Sequence, residues 1–166
     1  MSAFPDSYRP TWHFVWRHPA HCIAFAGGVG LFPHAPGTLG TLAAFPVFWW
    51  LDRHLAAFEF LGVLGLLFAL GVWACGRTGR TLRVADHPGM VWDEIVAFLL
   101  VLFFTPDDLT WQAFAFLLFR TFDILKPPPI GYYDARMKNG AGVMLDDIFA
   151  AFYALLALAA ARALLS

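Results

Sequence analysis

Charge is what this 166-residue chain has least of: 14% of its residues are Asp, Glu, Lys or Arg, while 60% are hydrophobic. Soluble domains carry about 25% charged and roughly 45–50% apolar residues. The shortfall predicts a membrane protein, and the length predicts one domain, 1–166, with a peripheral N-terminal arm over 1–20. Positive charge is in no surplus. Eleven Lys and Arg against twelve Asp and Glu leave a net charge of −1, without the concentrated basic surface that a nucleic-acid partner requires. Cysteine is scarce as well. Cys22 and Cys75 stand in apolar or glycine-rich surroundings, which excludes a disulfide framework and makes them small buried residues. The first 20 residues lack the apolar core of a secretory signal, so insertion is expected from internal segments. No apolar run reaches the roughly 20 residues that cross a bilayer unaided.

What is present is a series of shorter apolar runs at 42–51, 60–75, 90–104, 111–119 and 148–165. They predict an all-α, polytopic membrane helical bundle of about four to five short apolar helices, whose spans borrow their polar ends. Punctuation between the runs is expected in several forms. Glycines and prolines break regular structure over 27–40, with Thr38 or Thr41 free to cap the next helix. A turn is expected at Asp52, Arg53 and His54. Thr105, Pro106 and Asp108 read as a helix start, with threonine as cap. Pro127, Pro128 and Pro129 end the helix carrying Arg120 and Asp123. A flexible loop at 139–142 then hands over to a helix headed by Asp146 and Asp147.

The distribution of Lys and Arg orients this bundle. Arg9, Arg17, Arg77, Arg80, Arg83, Lys126, Arg136 and Lys138 fall on alternate turns, while the opposite turns hold Arg53 and nothing basic over 105–110. By the positive-inside rule the richer side is cytoplasmic. The same ordering brings four separate segments to that side: the Pro36-Gly37-Thr38 loop, Asp93-Glu94, Arg120-Asp123 and Asp146-Asp147.

Their chemistry is legible from inventory. Carboxylates at the ends of apolar helices are costly to desolvate and are normally paired or bind something. Asp86, Asp93, Glu94, Asp123, Asp134, Asp146 and Asp147 exceed what Arg120, Lys126, Arg136 and Lys138 neutralise. A hard divalent cation is the expected remainder, and oxygen ligands favour Mg²⁺ or Mn²⁺ over zinc. Arginine, lysine and a glycine-rich loop beside it suit a phosphate monoester. The plainer readings are a helix salt bridge for Arg120 with Asp123, dipole complementation for Asp146 and Asp147, and surface placement for Lys126 and Lys138. Expected metal ligands are Glu94, Asp123 and Asp147, with Asp93, Asp146 and Asp86 as ligands or supporting groups. Gly37, Thr38, Arg120, Lys126 and Lys138 are expected to bind substrate. The nucleophile is expected to be water, with an aspartate as the alternative.

Together PHAPGTLGT (33–41), VWDEIVAF (91–98), FRTFDILKPPPI (119–130) and DARMKNGAGVMLDDIFA (134–150) resemble the phosphatidylglycerophosphatase A family. The resemblance implies a Mg²⁺-dependent lipid phosphatase of the bacterial inner membrane. Its substrate would be phosphatidylglycerophosphate, hydrolysed to phosphatidylglycerol and phosphate at the cytoplasmic leaflet. One departure is Thr41, where serine is expected, and the hydroxyl is kept. Two other readings compete. A CDP-alcohol phosphotransferase requires aspartates four apart, whereas Asp146 and Asp147 are adjacent. A non-enzymatic cation carrier requires acids in mid-membrane, whereas these stand near helix ends.

Overall fold

The computed structural model describes residues 10–128 and 137–165, and every regular element in them is helical. Two short helices, α1 (Trp12–Trp16) and α2 (Pro19–Ala24), lead through a 3-10 segment (Ala26–Leu31) to five longer ones. These are α3 (Pro36–His54), α4 (Ala57–Leu82), α5 (Trp92–Phe104), α6 (Leu109–Leu125) and α7 (Gly140–Leu165).

Helix α5 is the hub because it is apolar on all sides, and such a helix is stable only when surrounded. Val96, Ala97, Phe98, Leu99, Val101 and Leu102 are fully buried, packed among α3, α4, α6 and α7. Phe98 sits in an aromatic cluster with Phe45, Phe116 and Phe119, at centroid distances of 5.3, 5.9 and 5.4 Å. Edge and tilted contacts of this kind add directional preference to simple burial.

Helices α4 and α7 have 26 residues each, about 39 Å at 1.5 Å per residue, against a hydrocarbon core of about 30 Å. Both are long and apolar enough to cross a membrane. In α4 only 28% of the most apolar 18-residue stretch is buried, and Leu61, Leu66, Leu70 and Trp73 face outward. A soluble core helix would bury such side chains, so this surface suits lipid. The spans do borrow their polar ends: Glu59 opens α4, accepting from the Ala56 N–H at 2.9 Å, and Arg77 and Arg80 are carried within it.

Several local expectations are corrected. Neither Thr38 nor Thr41 caps α3. Ala35 does so in a left-handed conformation with Pro36 at the first helical position, and the Thr41 hydroxyl bonds back to the Gly37 carbonyl at 3.0 Å. Asp52, Arg53 and His54 form the last turn of α3 rather than a turn after it. Thr105 ends α5, and α6 is capped by Asp108, whose carboxylate accepts from Thr110 and Trp111 N–H. Asp93 and Glu94 form the first turn of α5, where the helix dipole favours anions. The glycines at 140–142 are not loop. Asn139 accepts from the Gly142 N–H at 2.9 Å, and α7 begins at Gly140, so Asp146 and Asp147 lie two turns inside it.

Residues 12–24 pack into the bundle, with Val15, Ala20 and Ala24 fully buried. His21 Nδ1 lies 2.9 Å from the Thr78 hydroxyl, tying α2 to α4. Tryptophans 12 and 16 remain exposed. The starts of α3, α5 and α7 and the end of α6 meet at one end of the bundle.

Candidate active site

That end holds a cavity of about 240 Å³. Gly37 enters it from α3, Asp86 from the loop after α4, Asp93 and Glu94 from α5, Arg120, Asp123 and Lys126 from α6, and Asp146 and Asp147 from α7. All four segments expected to converge do so. Two of the expected residues do not line it: Thr38 lies beside Gly37 in the first turn of α3, and Lys138 lines a neighbouring cavity. Asp134 and Arg136 fall outside the described residues.

Ionic contacts among the described residues organise the interior. Arg120 Nη1 donates to Glu94 Oε1 at 2.8 Å and to Asp123 Oδ2 at 2.6 Å. Lys126 Nζ donates to Asp146 Oδ2 at 2.8 Å. The Arg120–Asp123 pair at i,i+3 is the expected helix salt bridge, but it continues across helices to Glu94. Arg120 spends a single nitrogen on both partners, and its Nε is buried with no acceptor. Such a fork retains donors for a further anion.

The close approach of Glu94 to α3 explains the glycines there. A Cβ on Gly37 would overlap Glu94 Oε1, and one on Gly40 would come within 2.9 Å of Glu94 Oε2. Glycine is required at 37 for space rather than for backbone freedom, since no positive φ occurs there.

Among the described residues, six carboxylates line this cavity against two cations, Arg120 and Lys126. Four negative charges would stand in excess were all ionised, which a largely buried site does not tolerate without a further cation or protons. The surplus is visible atom by atom: Asp93 Oδ1, Glu94 Oε2 and Asp147 Oδ2 are buried without a hydrogen-bond partner. These oxygens fit a hard divalent cation. Among the described residues no three acidic, His or Cys side chains are yet gathered around one point as a metal site. Their oxygens are partly turned to Arg120 and Lys126 instead.

His87, for which no role is expected from sequence, shapes the loop that carries Asp86. Its Nδ1 accepts from the Gly89 N–H at 3.0 Å and its carbonyl from the Met90 N–H at 2.7 Å. Val91 N–H then donates to the Ala24 carbonyl at 2.9 Å. The available signal was His-Pro-Gly, a turn-forming triplet directly after Asp86.

The family model described as Phosphatidylglycerophosphatase A matches residues 22–162, from α2 to the last turn of α7. The chain belongs to the phosphatidylglycerophosphatase A family. A phosphatidylglycerophosphatase A of Haemophilus influenzae is 44% identical over 141 residues, covering 84% of this chain and 86% of that protein. One from Escherichia coli K12 is 40% identical over 134 residues, covering 80% and 77%. A Bacteroides thetaiotaomicron relative, provisionally named a phosphatidylinositol-3-phosphatase, is 36% identical over 143 residues, covering 81% and 88%. No solved structure matches the chain. The phosphatidylglycerophosphatase A match takes in every residue of the acidic cavity.

Proposed function

We propose that this chain hydrolyses phosphatidylglycerophosphate to phosphatidylglycerol and phosphate, with Mg²⁺, at the cytoplasmic face of a bacterial membrane. Family membership makes it a phosphatase, and bacterial relatives together with two apolar helices make it a bacterial membrane protein. The observation that carries the finer reading is the three buried, unpartnered carboxylate oxygens beside Arg120 and Lys126.

Glu94, Asp123 and Asp147 would hold the cation, with Asp93, Asp86 and Asp146 beside them. A bound Mg²⁺ polarises the phosphoryl group and offsets charge on the leaving oxygen. Arg120 and Lys126 bind the phosphoryl oxygens, exchanging part of their contact with Glu94, Asp123 and Asp146 for the substrate. Gly37 keeps the wall of α3 low enough for Glu94 to stay in place. Hydrolysis joins a water oxygen to phosphorus and breaks the bond to the glycerol oxygen, which leaves with a proton. A carboxylate of the cluster orients that water and takes its proton.

The cytoplasmic orientation rests on charge. Arg77, Arg80, Arg83, Lys126 and Lys138 cluster at the site end, against Arg53 and Arg162 at the other. The carrier alternative loses support because the acids of the cavity stand in a loop, in terminal turns or two turns inside a helix.

Detergent-purified protein should release phosphate from phosphatidylglycerophosphate in preference to phosphatidic acid, phosphatidylinositol 3-phosphate and a soluble aryl phosphate, and chelation should abolish release. Preference for the inositol lipid would move the substrate. Undiminished turnover in excess chelator would remove the cation from the reaction.

A further inference from the structure

A second cavity, of about 390 Å³, lies beside the acidic one and has the opposite character. Its cations are Arg80 and Arg83 from the end of α4 and Lys138 from the segment before α7, and among the described residues no carboxylate lines it. Among the described residues none of the three has an ion-pair partner. Glycines line part of the cavity. Gly76 of α4 packs against Gly140 of α7, and a Cβ on Gly140 would overlap the Val72 carbonyl oxygen. One on Gly79 would come within 2.9 Å of the Val84 and Ala85 carbonyl oxygens. The result is a recess lined largely by small residues and rimmed by three cations, a setting that suits an anion.

The two cavities share their dividing wall. Ala85 lines one and Asp86 the other, and on α7 Gly140 lines one and Val143 the other, a separation of about 4.5 Å along the helix. This inference rests on the substrate proposed above, which carries two phosphates: a terminal monoester and, one glycerol away, a phosphodiester. We propose that the basic cavity binds that phosphodiester while the monoester occupies the acidic cavity, so that the enzyme selects its substrate by the presence of a second phosphate one glycerol from the first. Lys138 thereby contacts substrate, but at its diester rather than at the reacting phosphorus. The acidic cavity alone cannot make this distinction, because every phosphomonoester presents the same group to it.

The test compares kcat/KM for phosphatidylglycerophosphate with that for phosphatidic acid, which has a monoester and no diester, in neutral mixed micelles. In Arg80→Gln, Arg83→Gln and the double variant, the preference for the two-phosphate lipid is expected to fall by about tenfold, chiefly through KM, as lost charge-assisted contacts would require. Lys138→Ala, outside any helix, should move the same ratio in the same direction and keeps the test open if the arginine variants fold poorly. An unchanged ratio in all variants, or parallel losses on both substrates, overturns the proposal. So does a loss that appears only when the micelles contain anionic phosphatidylglycerol, since the cations would then be contacting the bulk membrane surface. Failure of the wild-type protein to hydrolyse phosphatidylglycerophosphate is a separate result that removes the proposed activity itself.

Discussion

Two cavities sit side by side at one end of the bundle, and they handle charge in opposite ways. In the acidic one, six carboxylates surround two cations, and each cation is drawn into ion pairs. In the basic one, three exposed cations face no carboxylate among the described residues. Buried carboxylates that outnumber their partners are poised to take up a cation, because only that, or protonation, relieves the desolvation and repulsion. Exposed cations face no such penalty, and the ligand proposed for them would bind without strain on the fold. On the proposed reading the difference separates chemistry from recognition, and mutations should divide along the same line.

The largest effect is expected from Gly37→Val. A branched side chain there collides with the Glu94 carboxylate, and turnover should drop by about two orders of magnitude, roughly 2.7 kcal/mol. Activity close to wild type in a folded variant would mean that Glu94 is not held where the chemistry needs it. Next come Glu94→Gln and Asp147→Asn, which remove charge while keeping shape. Each should lower kcat at least tenfold, about 1.4 kcal/mol, and raise the Mg²⁺ concentration needed for half-maximal rate. If thermal stability instead rises with no loss of rate, the surplus carboxylates are only a burden on the fold, and the contrast between the cavities loses its meaning.

A smaller loss, about tenfold in kcat/KM, is expected for Arg120→Lys, because an ammonium cannot serve Glu94, Asp123 and a phosphoryl oxygen from one planar fork. Wild-type kinetics would return Arg120 to the plain helix salt bridge. The smallest effect lies outside both cavities. Burial, helped by the neighbouring His18, Arg77 and Arg17, lowers the pKa of His21 from its ordinary 6.5. As pH falls below that value the unfolded chain takes up the proton first, so stability should decline toward acid. His21→Asn, which can keep the contact to Thr78, should narrow the difference in melting temperature between pH 7 and about pH 5.5. An equal difference in both proteins would place the acid sensitivity elsewhere.

Much of the architecture was readable from local pattern. The apolar runs at 60–75 and 148–165 mark the cores of α4 and α7, because a run of that length has to be buried or face lipid in any fold. Boundaries read less well, since polar ends join a helix whenever their backbone groups find partners there. Glu59, Asn139 and Asp108 supply those partners, and the prominent Thr105 and Asp146 do not. The assembly of the site was readable for a simple reason. Successive helices reverse direction, so segments at alternate ends of the runs must meet.

By itself, then, the order of runs and turns determined that Gly37, Asp93, Glu94, Arg120, Asp123, Asp146 and Asp147 share one end of a helical membrane bundle. Only the tertiary structure decided how they divide there. That Arg120 bridges to Glu94, that Gly37 is needed for the space Glu94 occupies, and that Lys138 belongs with Arg80 and Arg83 in a separate recess depend on distances between helices. Periodicity along one chain specifies which face a side chain occupies, but not how closely a second helix approaches it. Ion pairing, crowding and desolvation change over a few ångströms of that approach.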